Sequence, residues 1–117
     1  MFVRKRALDA IDFDGLRIFD YTAELGGGAS MARIEIPSGA AHALSWSTRS
    51  DKYYLVTDGS VRFTVDGESA DLDAGDFCHV RCGQRFRYSN PSGAPAAIVL
   101  VHEPAFDLEA ERFEDDD

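Results

Sequence analysis

The sequence contains little positive charge, and this limits the partners it can bind. Its 117 residues include 12 lysines and arginines against 21 aspartates and glutamates, which gives a formal net charge of −9. Nucleic acids and anionic membrane surfaces are polyanions, so both would be repelled by this chain. We therefore expect neither nucleic acid nor a membrane as its main partner.

Long hydrophobic runs are also missing. No apolar run approaches the ~20 residues that a membrane-spanning helix needs. Residues 1–6 are basic but lack the apolar stretch of a signal peptide. A cytoplasmic location is the resulting expectation.

Cysteine is scarce, with Cys78 and Cys82 as the two examples. In one extended strand and its exit they would lie about 13 Å apart, at ~3.3 Å per residue, which is too far for a disulfide. We expect reduced thiols. A metal cluster of Cys78, His79 and Cys82 is disfavoured, because a strand cannot gather these side chains as a helix or a zinc knuckle would.

Short apolar segments, glycines and aromatic residues are abundant. Hydrophobic residues make up 44% of the chain, with 8 Phe, 10 Gly and 4 Pro, enough for one domain with one core. Alternating or apolar segments predict strands, with a tight hairpin turn at Asp66-Gly67. These strands cover residues 16–21, 31–36, 43–47, 53–57, 61–65, 77–80, 86–89 and 96–102. Their spacing predicts an all-β double-sheet jelly roll.

Two glycine-based motifs lie within this strand pattern. The first runs from Gly39 to Gly59: five residues separate Gly39 from Ser45, Ser47 follows after one more residue, and six residues separate Lys52 from Gly59. The spacing therefore frames a turn, two strands and a second turn.

The second motif runs from Gly75 through Gly83 to Asn90 without a gap, and it includes Phe86. The two motifs at this separation, roughly over residues 31–104, resemble the paired motifs of the cupin superfamily. The resemblance implies a small, single-domain cupin, a double-stranded β-helix.

In the cupin pattern, the ligand positions hold two histidines, a glutamate and a third histidine. Here they read Ser45, Ser47, Lys52 and Phe86, and a shorter permitted spacing recovers no ligand either. Fe(II), Mn(II) or Zn(II) requires imidazole or carboxylate ligands, and an ammonium group repels a cation. We predict no metal and no other cofactor.

Strand alternation extends this set of positions into a pocket. The candidate catalytic residues are Lys52, Tyr54 and Tyr88, and the candidate ligand-binding residues are Ser45, Ser47, Phe86 and Asn90.

The predicted function follows from Lys52. Burial would lower its pKa, so that it could act as a base or as a carbonyl nucleophile, while Tyr54 and Tyr88 donate hydrogen bonds to an enolate oxygen. We expect a metal-independent barrel that binds a small organic ligand and catalyses isomerisation, cyclisation, epimerisation or dehydration of a carbonyl compound.

Two alternatives remain open. A charged Lys52 could hold a carboxylate or a phosphate in a non-catalytic binding or sensor module, helped by arginines near the rim. The candidate arginines are Arg49, Arg81, Arg85 and Arg87. In the other alternative, Lys52 lies at the barrel mouth or pairs with Asp51 or Asp76, and the serines only fill space.

The remaining polar residues have weaker signals. His42, His79 and His102 could form a displaced metal site, but none of them shares a ligand-pair spacing. A one-residue bulge would turn Asp51 inward in place of Lys52. Trp46 alternates with Ser45 and Ser47, so we expect its side chain on the opposite face of the sheet, or at the dimer contact.

The chain is divided into three parts. Residues 1–22 form an N-terminal arm, which by the cupin resemblance is a candidate contact in a homodimer. Residues 23–106 form the barrel. Residues 107–117 form an acidic tail, with a possible short helix and partial disorder.

Overall fold

Two antiparallel sheets pack face to face in the structure, a computed structural model that describes residues 1–114. The strands are β1 (Ile11–Phe13), β2 (Leu16–Asp20), β3 (Ser30–Ile36), β4 (Ala41–Ser47), β5 (Asp51–Asp58), β6 (Ser60–Val65), β7 (Glu68–Asp73), β8 (Phe77–Val80), β9 (Phe86–Ser89), β10 (Ala96–Glu103) and β11 (Glu111–Phe113). One sheet has the order β1-β2-β3-β10-β5-β8 and the other has the order β11-β4-β9-β6-β7. The predicted jelly-roll barrel is confirmed.

The core fills the space between the sheets, as alternation along the strands requires. In β6, Val61 and Phe63 are buried while Arg62 points outward. Asp66 and Gly67 both adopt positive φ, 48° and 84°, and join β6 to β7 in a tight turn that matches the right-handed twist of the strands.

Gly59 shows why the first glycine motif closes where it does. Its φ is +68°, and a Cβ atom at this position would lie 2.7 Å from the carbonyl oxygen of Pro95. Only glycine allows the end of β5 to approach the start of β10 so closely. The motif therefore fixes how Lys52, on the same strand, is aligned against β10.

Three strands were not predicted, namely β1, β7 and β11. β7 is an edge strand whose residues are exposed except for the half-buried Leu72, so it lacks the apolar alternation that marks a strand. β11 lies beyond residues 96–102, the most C-terminal of the predicted strand ranges.

The acidic tail differs from the prediction over residues 107–114. Leu108–Ala110 forms one turn of 3₁₀ helix, and β11 then pairs with β4. This segment packs because its alternate residues Glu111 and Phe113 are half-buried against the barrel while Arg112 is exposed. The predicted disorder of Asp115, Asp116 and Asp117 lies outside the described residues.

Residues 11–20 of the N-terminal arm form β1 and β2, at the edge of the six-stranded sheet. β2 pairs with β3 through Arg17 and Glu35 and the residues that follow. A dimer contact through residues 1–22 stays a prediction. No helix within residues 1–114 has both the length and the apolar character needed to cross a membrane.

Candidate functional site

A cavity of about 300 Å³ lies between the sheets, next to β1, β2 and the C-terminal segment. Its walls are mainly apolar and aromatic, and polar side chains meet at one part of its surface. The lining residues are Ile11, Phe13, Ile18, Asp20, Ser30, Met31, Ala32, Ile34, His42, Lys52, Tyr54, Tyr88, Leu100, His102, Phe106, Leu108, Glu111 and Phe113. A concave, mostly apolar cavity with a few convergent polar groups is typical of a small-molecule site.

Lys52, His102 and Glu111 form a buried cluster in this cavity. Lys52 and His102 are paired residues on β5 and β10, and the Lys52 Nζ atom donates to His102 Nε2 at 2.9 Å. Lys52 also donates to the Glu111 carboxylate, and both side chains are nearly buried, with 4% and 9% of their surface exposed. His102 Nε2 lies 3.9 Å from Glu111 Oε1, so Lys52 is the closer partner of this carboxylate.

The protonation states of the cluster follow from these contacts. Burial tends to raise the pKa of Glu111, but His102 and Lys52 outweigh this effect and lower it to about 2. Burial lowers the pKa of Lys52, whereas the Glu111 charge and hydrogen bond oppose that change. Burial lowers the pKa of His102, and the Lys52 charge adds to this effect. At neutral pH the cluster is an ammonium–carboxylate pair beside a neutral imidazole.

His42 is a second neutral imidazole in the cavity. Its ring stacks at centroid distances of 5.0 to 6.1 Å on four aromatic rings: Phe13, Phe86, Tyr88 and Phe113. Burial lowers its pKa. His42 Nδ1 donates to the carbonyl oxygen of Ala43 at 2.7 Å, so in the neutral ring Nε2 carries the lone pair. Within the described chain this Nε2 makes no hydrogen bond.

Tyr54 and Tyr88 lie deep in the cavity, 1% and 2% exposed. Their rings meet edge to face at 5.7 Å. Burial raises the pKa of both phenols, which therefore stay protonated and can donate hydrogen bonds. Neither hydroxyl has a hydrogen-bonding partner among residues 1–114, so both remain available to a ligand.

The structure brings Lys52, Tyr54 and Tyr88 together in the cavity, whereas Ser45, Ser47, Phe86 and Asn90 do not line it. Ser47 Oγ accepts from the backbone N–H groups of Ser50 and Arg49 and stabilises the β4–β5 turn. Ser45 is buried beneath β11, where it pairs with Phe113.

The other two have structural roles as well. Phe86 is 1% exposed in the core, and Lys52 Nζ lies 5.3 Å from its ring centroid. Asn90 is fully buried: its amide donates to the carbonyl oxygens of Ile36 and Ala94, and its Oδ1 accepts from Ser92. These contacts fix the loop before β10, and they leave Asn90 outside the cavity.

Lys52, and not Asp51, points into the barrel. Asp51 faces the other side of β5, where it accepts hydrogen bonds from His79 and from the Cys82 backbone. The three histidines therefore do not converge, because His79 lies outside the barrel while His42 and His102 line the cavity.

The four cupin ligand positions are all buried, at 1% to 3% exposure. An ammonium, two hydroxyls and a phenyl ring are not a donor set for a transition metal, so the residues present do not fit the metal site of this fold. Over residues 1–114, no group of three or more His, Cys, Asp or Glu side chains is arranged to hold a metal ion. Cys78 and Cys82 are free cysteines.

None of the four arginines proposed for the rim lines the cavity. Arg85 stacks 3.8 Å from the centroid of Trp46, which faces the outer side of its sheet as expected. Arg49 pairs with Asp107 at 3.7 Å.

The sequence interpretation missed the roles of His42, His102 and Glu111. His102 could have been found from the strand pairing, because an inward Lys52 on β5 faces a neighbour on β10. Glu111 had a weaker signal: it lies in a short acidic segment that has the apolar residues Leu108 and Phe113 at its two ends.

The profile of the family described as Cupin domain matches residues 32–102. The chain belongs to the cupin family. This cupin is 31% identical over 74 residues to the tetracenomycin polyketide synthase protein TcmJ of Streptomyces glaucescens. The match covers 63% of this chain and 50% of TcmJ, so the cupin spans about half of that relative.

Solved structures show the same fold at low sequence identity. Pac13, described as a unique nucleoside dehydratase, superposes with a TM-score of 0.84 at 21% identity, over 97% of this cupin and 89% of Pac13. A Streptomyces PAC13 variant with uridine has a TM-score of 0.81 at 22% identity, over 94% and 87% of the two chains. Oxalate decarboxylase of Lactobacillus farciminis has a TM-score of 0.79 at 16% identity, over 93% of this chain and 34% of the enzyme.

Proposed function

We propose that this cupin binds a small, uncharged carbonyl compound and, without a metal, eliminates water from it. The observation that carries the proposal is the neutral, unpaired Nε2 of His42 in the same cavity as the buried Lys52 ammonium group. A base and a fixed positive charge in one mainly apolar cavity are the two groups that proton abstraction next to a carbonyl requires.

The reaction would start with His42. Its Nε2 removes a proton from the carbon next to the carbonyl, and the electron pair of that C–H bond is delocalised onto the carbonyl oxygen as an enolate. When the enolate collapses, a C=C bond forms and the C–O bond to a β-hydroxyl breaks. The imidazolium returns its proton to the departing oxygen, so that water leaves and His42 is neutral again.

Lys52, Tyr54 and Tyr88 would stabilise the enolate oxygen as hydrogen-bond donors. This role differs from the one predicted for Lys52, a base or a nucleophile. Both of those roles need a neutral amine, whereas the buried carboxylate of Glu111 favours the ammonium form. Lys52 is therefore assigned the role of a charged donor, and Schiff-base formation is not part of the mechanism.

The charges around the cavity favour an uncharged ligand. Lys52 is the cationic lining residue, and Asp20 and Glu111 are the two anionic ones. A carboxylate or phosphate ligand would face more negative than positive charge, so the geometry does not favour the non-catalytic anion-binding alternative.

Comparison with Pac13 supports dehydration, because that dehydratase has the same fold and a variant of it binds uridine. A nucleoside is an uncharged molecule with a flat ring, which suits aromatic walls such as Phe13 and Phe113.

Cyclisation is a second candidate, favoured by the apolar walls and by the identity with TcmJ. The same proton abstraction on a polyketide chain would form an enolate that attacks a second carbonyl of that chain. Loss of water would then complete an aromatic ring.

The test compares His42→Gln with His79→Gln, an imidazole outside the barrel. β-Hydroxy aldehydes and ketones, nucleoside-based ones included, are incubated in D₂O, and NMR records exchange at the α-carbon and formation of the unsaturated product. We expect His42→Gln to slow both steps by about 10²- to 10⁴-fold and His79→Gln to leave them unchanged. Equal activity of the two variants would exclude His42 as the base. Stoichiometric transition metal in protein purified without chelator would contradict the metal-free mechanism.

A further inference from the structure

The C-terminal segment completes the cavity from outside the cupin domain. The family match ends at residue 102, yet four cavity residues lie beyond it. These are Phe106, Leu108, Glu111 and Phe113. The segment is therefore a part of the site that the two cupin motifs do not specify.

Backbone pairing fixes the position of this segment. β11 lies antiparallel to β4, with Glu111 opposite Ser47. The Thr48 N–H and hydroxyl both donate to the Ala110 carbonyl oxygen, at 2.8 and 2.9 Å, and the Glu114 N–H donates to Leu44. Because main-chain hydrogen bonds on both sides hold Glu111, its carboxylate reaches the cavity without depending on its own ion pair.

We propose that Glu111 is a positioning residue that keeps Lys52 protonated and holds its ammonium group in place inside the cavity. The importance of Glu111 for catalysis rests on the proposed function, whereas its effect on the charge of Lys52 rests on the ion pair alone. Glu111 contacts Lys52 directly, both side chains are nearly buried, and no other carboxylate lies within hydrogen-bond or ion-pair distance of Lys52 among residues 1–114.

The surroundings of Lys52 show why one carboxylate matters so much. Burial and the nearby imidazoles provide no negative charge, and both phenols are protonated at neutral pH. The titratable and charged groups that face the cluster are Asp20 on β2, His42 on β4, Tyr54 on β5, Tyr88 on β9, His102 on β10 and Glu111 on β11. Asp20 is already occupied with the backbone N–H and hydroxyl of Thr22. Glu111 is thus the group that offsets the cost of burying the ammonium charge.

The experiment measures the titration of Lys52 directly, without a substrate. The protein is labelled with ¹⁵N-lysine, the Lys52 Nζ signal is assigned by its absence in Lys52→Met, and NMR follows its chemical shift with pH. In Glu111→Gln we expect the Lys52 pKa to fall by about 1 to 3 units, because an opposite charge at this range shifts a pKa by that amount. Glu109→Gln is the matched control: this exposed glutamate lies two residues away on the same segment, and its variant should leave the titration unchanged.

Glu111→Asp keeps the negative charge, so its Lys52 pKa should lie closer to the wild-type value than the Lys52 pKa of Glu111→Gln does. A purely structural role of the side chain would not produce this difference. Circular dichroism checks folding, and Glu111→Asp provides the titration if Glu111→Gln does not fold. Two results would overturn the proposal. One is an unchanged Lys52 pKa in Glu111→Gln. The other is a Lys52 pKa that falls as far in a folded Glu111→Asp as in Glu111→Gln.

Turnover separates this proposal from the proposed function. If the dehydration is found, the alkaline limb of its pH profile should move to lower pH in Glu111→Gln together with the Lys52 pKa. If no turnover is found but the NMR shift occurs, Glu111 still positions Lys52, and it is the proposed reaction that fails.

Discussion

Two neighbouring residues of β5 form similar clusters on opposite faces of one sheet. Inside the barrel, Lys52 meets His102 and Glu111, with side chains 4% to 9% exposed. Outside, Asp51 meets His79 at 3.1 Å, with 34% and 32% of the two side chains exposed. Each cluster combines a charged group of β5 with an imidazole of a neighbouring strand.

This contrast shows that burial, and not residue type, creates the candidate site. Water screens the outer pair, and the pKa of Asp51 is lowered mainly by hydrogen bonds from the Cys82 backbone and from His79. In the inner cluster, low polarity makes each charge depend on its partner, so changing one member affects the others.

Removal of the inner charge should destabilise the protein more than any other change considered. Lys52→Met leaves the Glu111 carboxylate buried without its cation, which should lower the free energy of unfolding by about 3–5 kcal/mol. Asp51→Asn keeps an oxygen for the Cys82 N–H on an exposed face and should cost far less. Urea denaturation of both variants measures the difference.

The double variant Lys52→Met/Glu111→Leu is the control for this prediction. Replacing both charges by apolar groups of similar size removes the unpaired carboxylate, so most of the stability should return. Similar losses in Lys52→Met and Asp51→Asn would mean that the two faces do not differ as described.

The sequence specified the barrel because glycine positions and strand alternation are local signals. The two motifs fixed the register of β5, and this register turns Lys52 inward if the strand has no bulge near it. The structure has its β5–β10 irregularity between Ala97 and Ile98, away from Lys52. Edge strands such as β7 were missed because an exposed strand has no apolar alternation.

The site was only partly predictable, for a different physical reason. Lys52, Tyr54 and Tyr88 belong to the barrel strands and follow from parity, whereas Glu111 reaches the cavity through pairing between β11 and β4, a long-range contact. The charge along 107–117 predicted an acidic tail with a possible short helix and partial disorder. The prediction did not include a buried partner for Lys52, although an ammonium group buried inside a barrel requires a nearby anion.

An intermediate effect is expected from acid. Glu111 has a folded pKa of about 2, well below its ordinary value of 4.5. The stability from this shift is fully present above about pH 4.5 and is lost as the pH falls toward 2. At ~1.4 kcal/mol per unit, it is at most about 3 to 4 kcal/mol.

Thermal unfolding between pH 7 and 2 tests this dependence. Wild type should lose stability below pH 6.5, where His42 and His102 must be protonated on unfolding because their folded pKa values are lowered, and lose more below 4.5. In Glu111→Gln the second loss should be reduced, whereas in Asp51→Asn most of it should remain. A steeper acid loss in Glu111→Gln than in wild type would contradict the assignment.

The smallest effect separates the two imidazoles. His102→Gln retains an oxygen that can accept the hydrogen bond from Lys52, so we expect a loss of only about 1 kcal/mol, from the imperfect replacement of one buried hydrogen bond. His79→Gln breaks a half-exposed contact with Asp51 and a stack on Tyr53, and should change stability less. Denaturation midpoints resolve this order. The reverse order would mean that Glu111 alone holds Lys52 and that the neutral His102 ring serves only to fill the cavity wall beside Phe106.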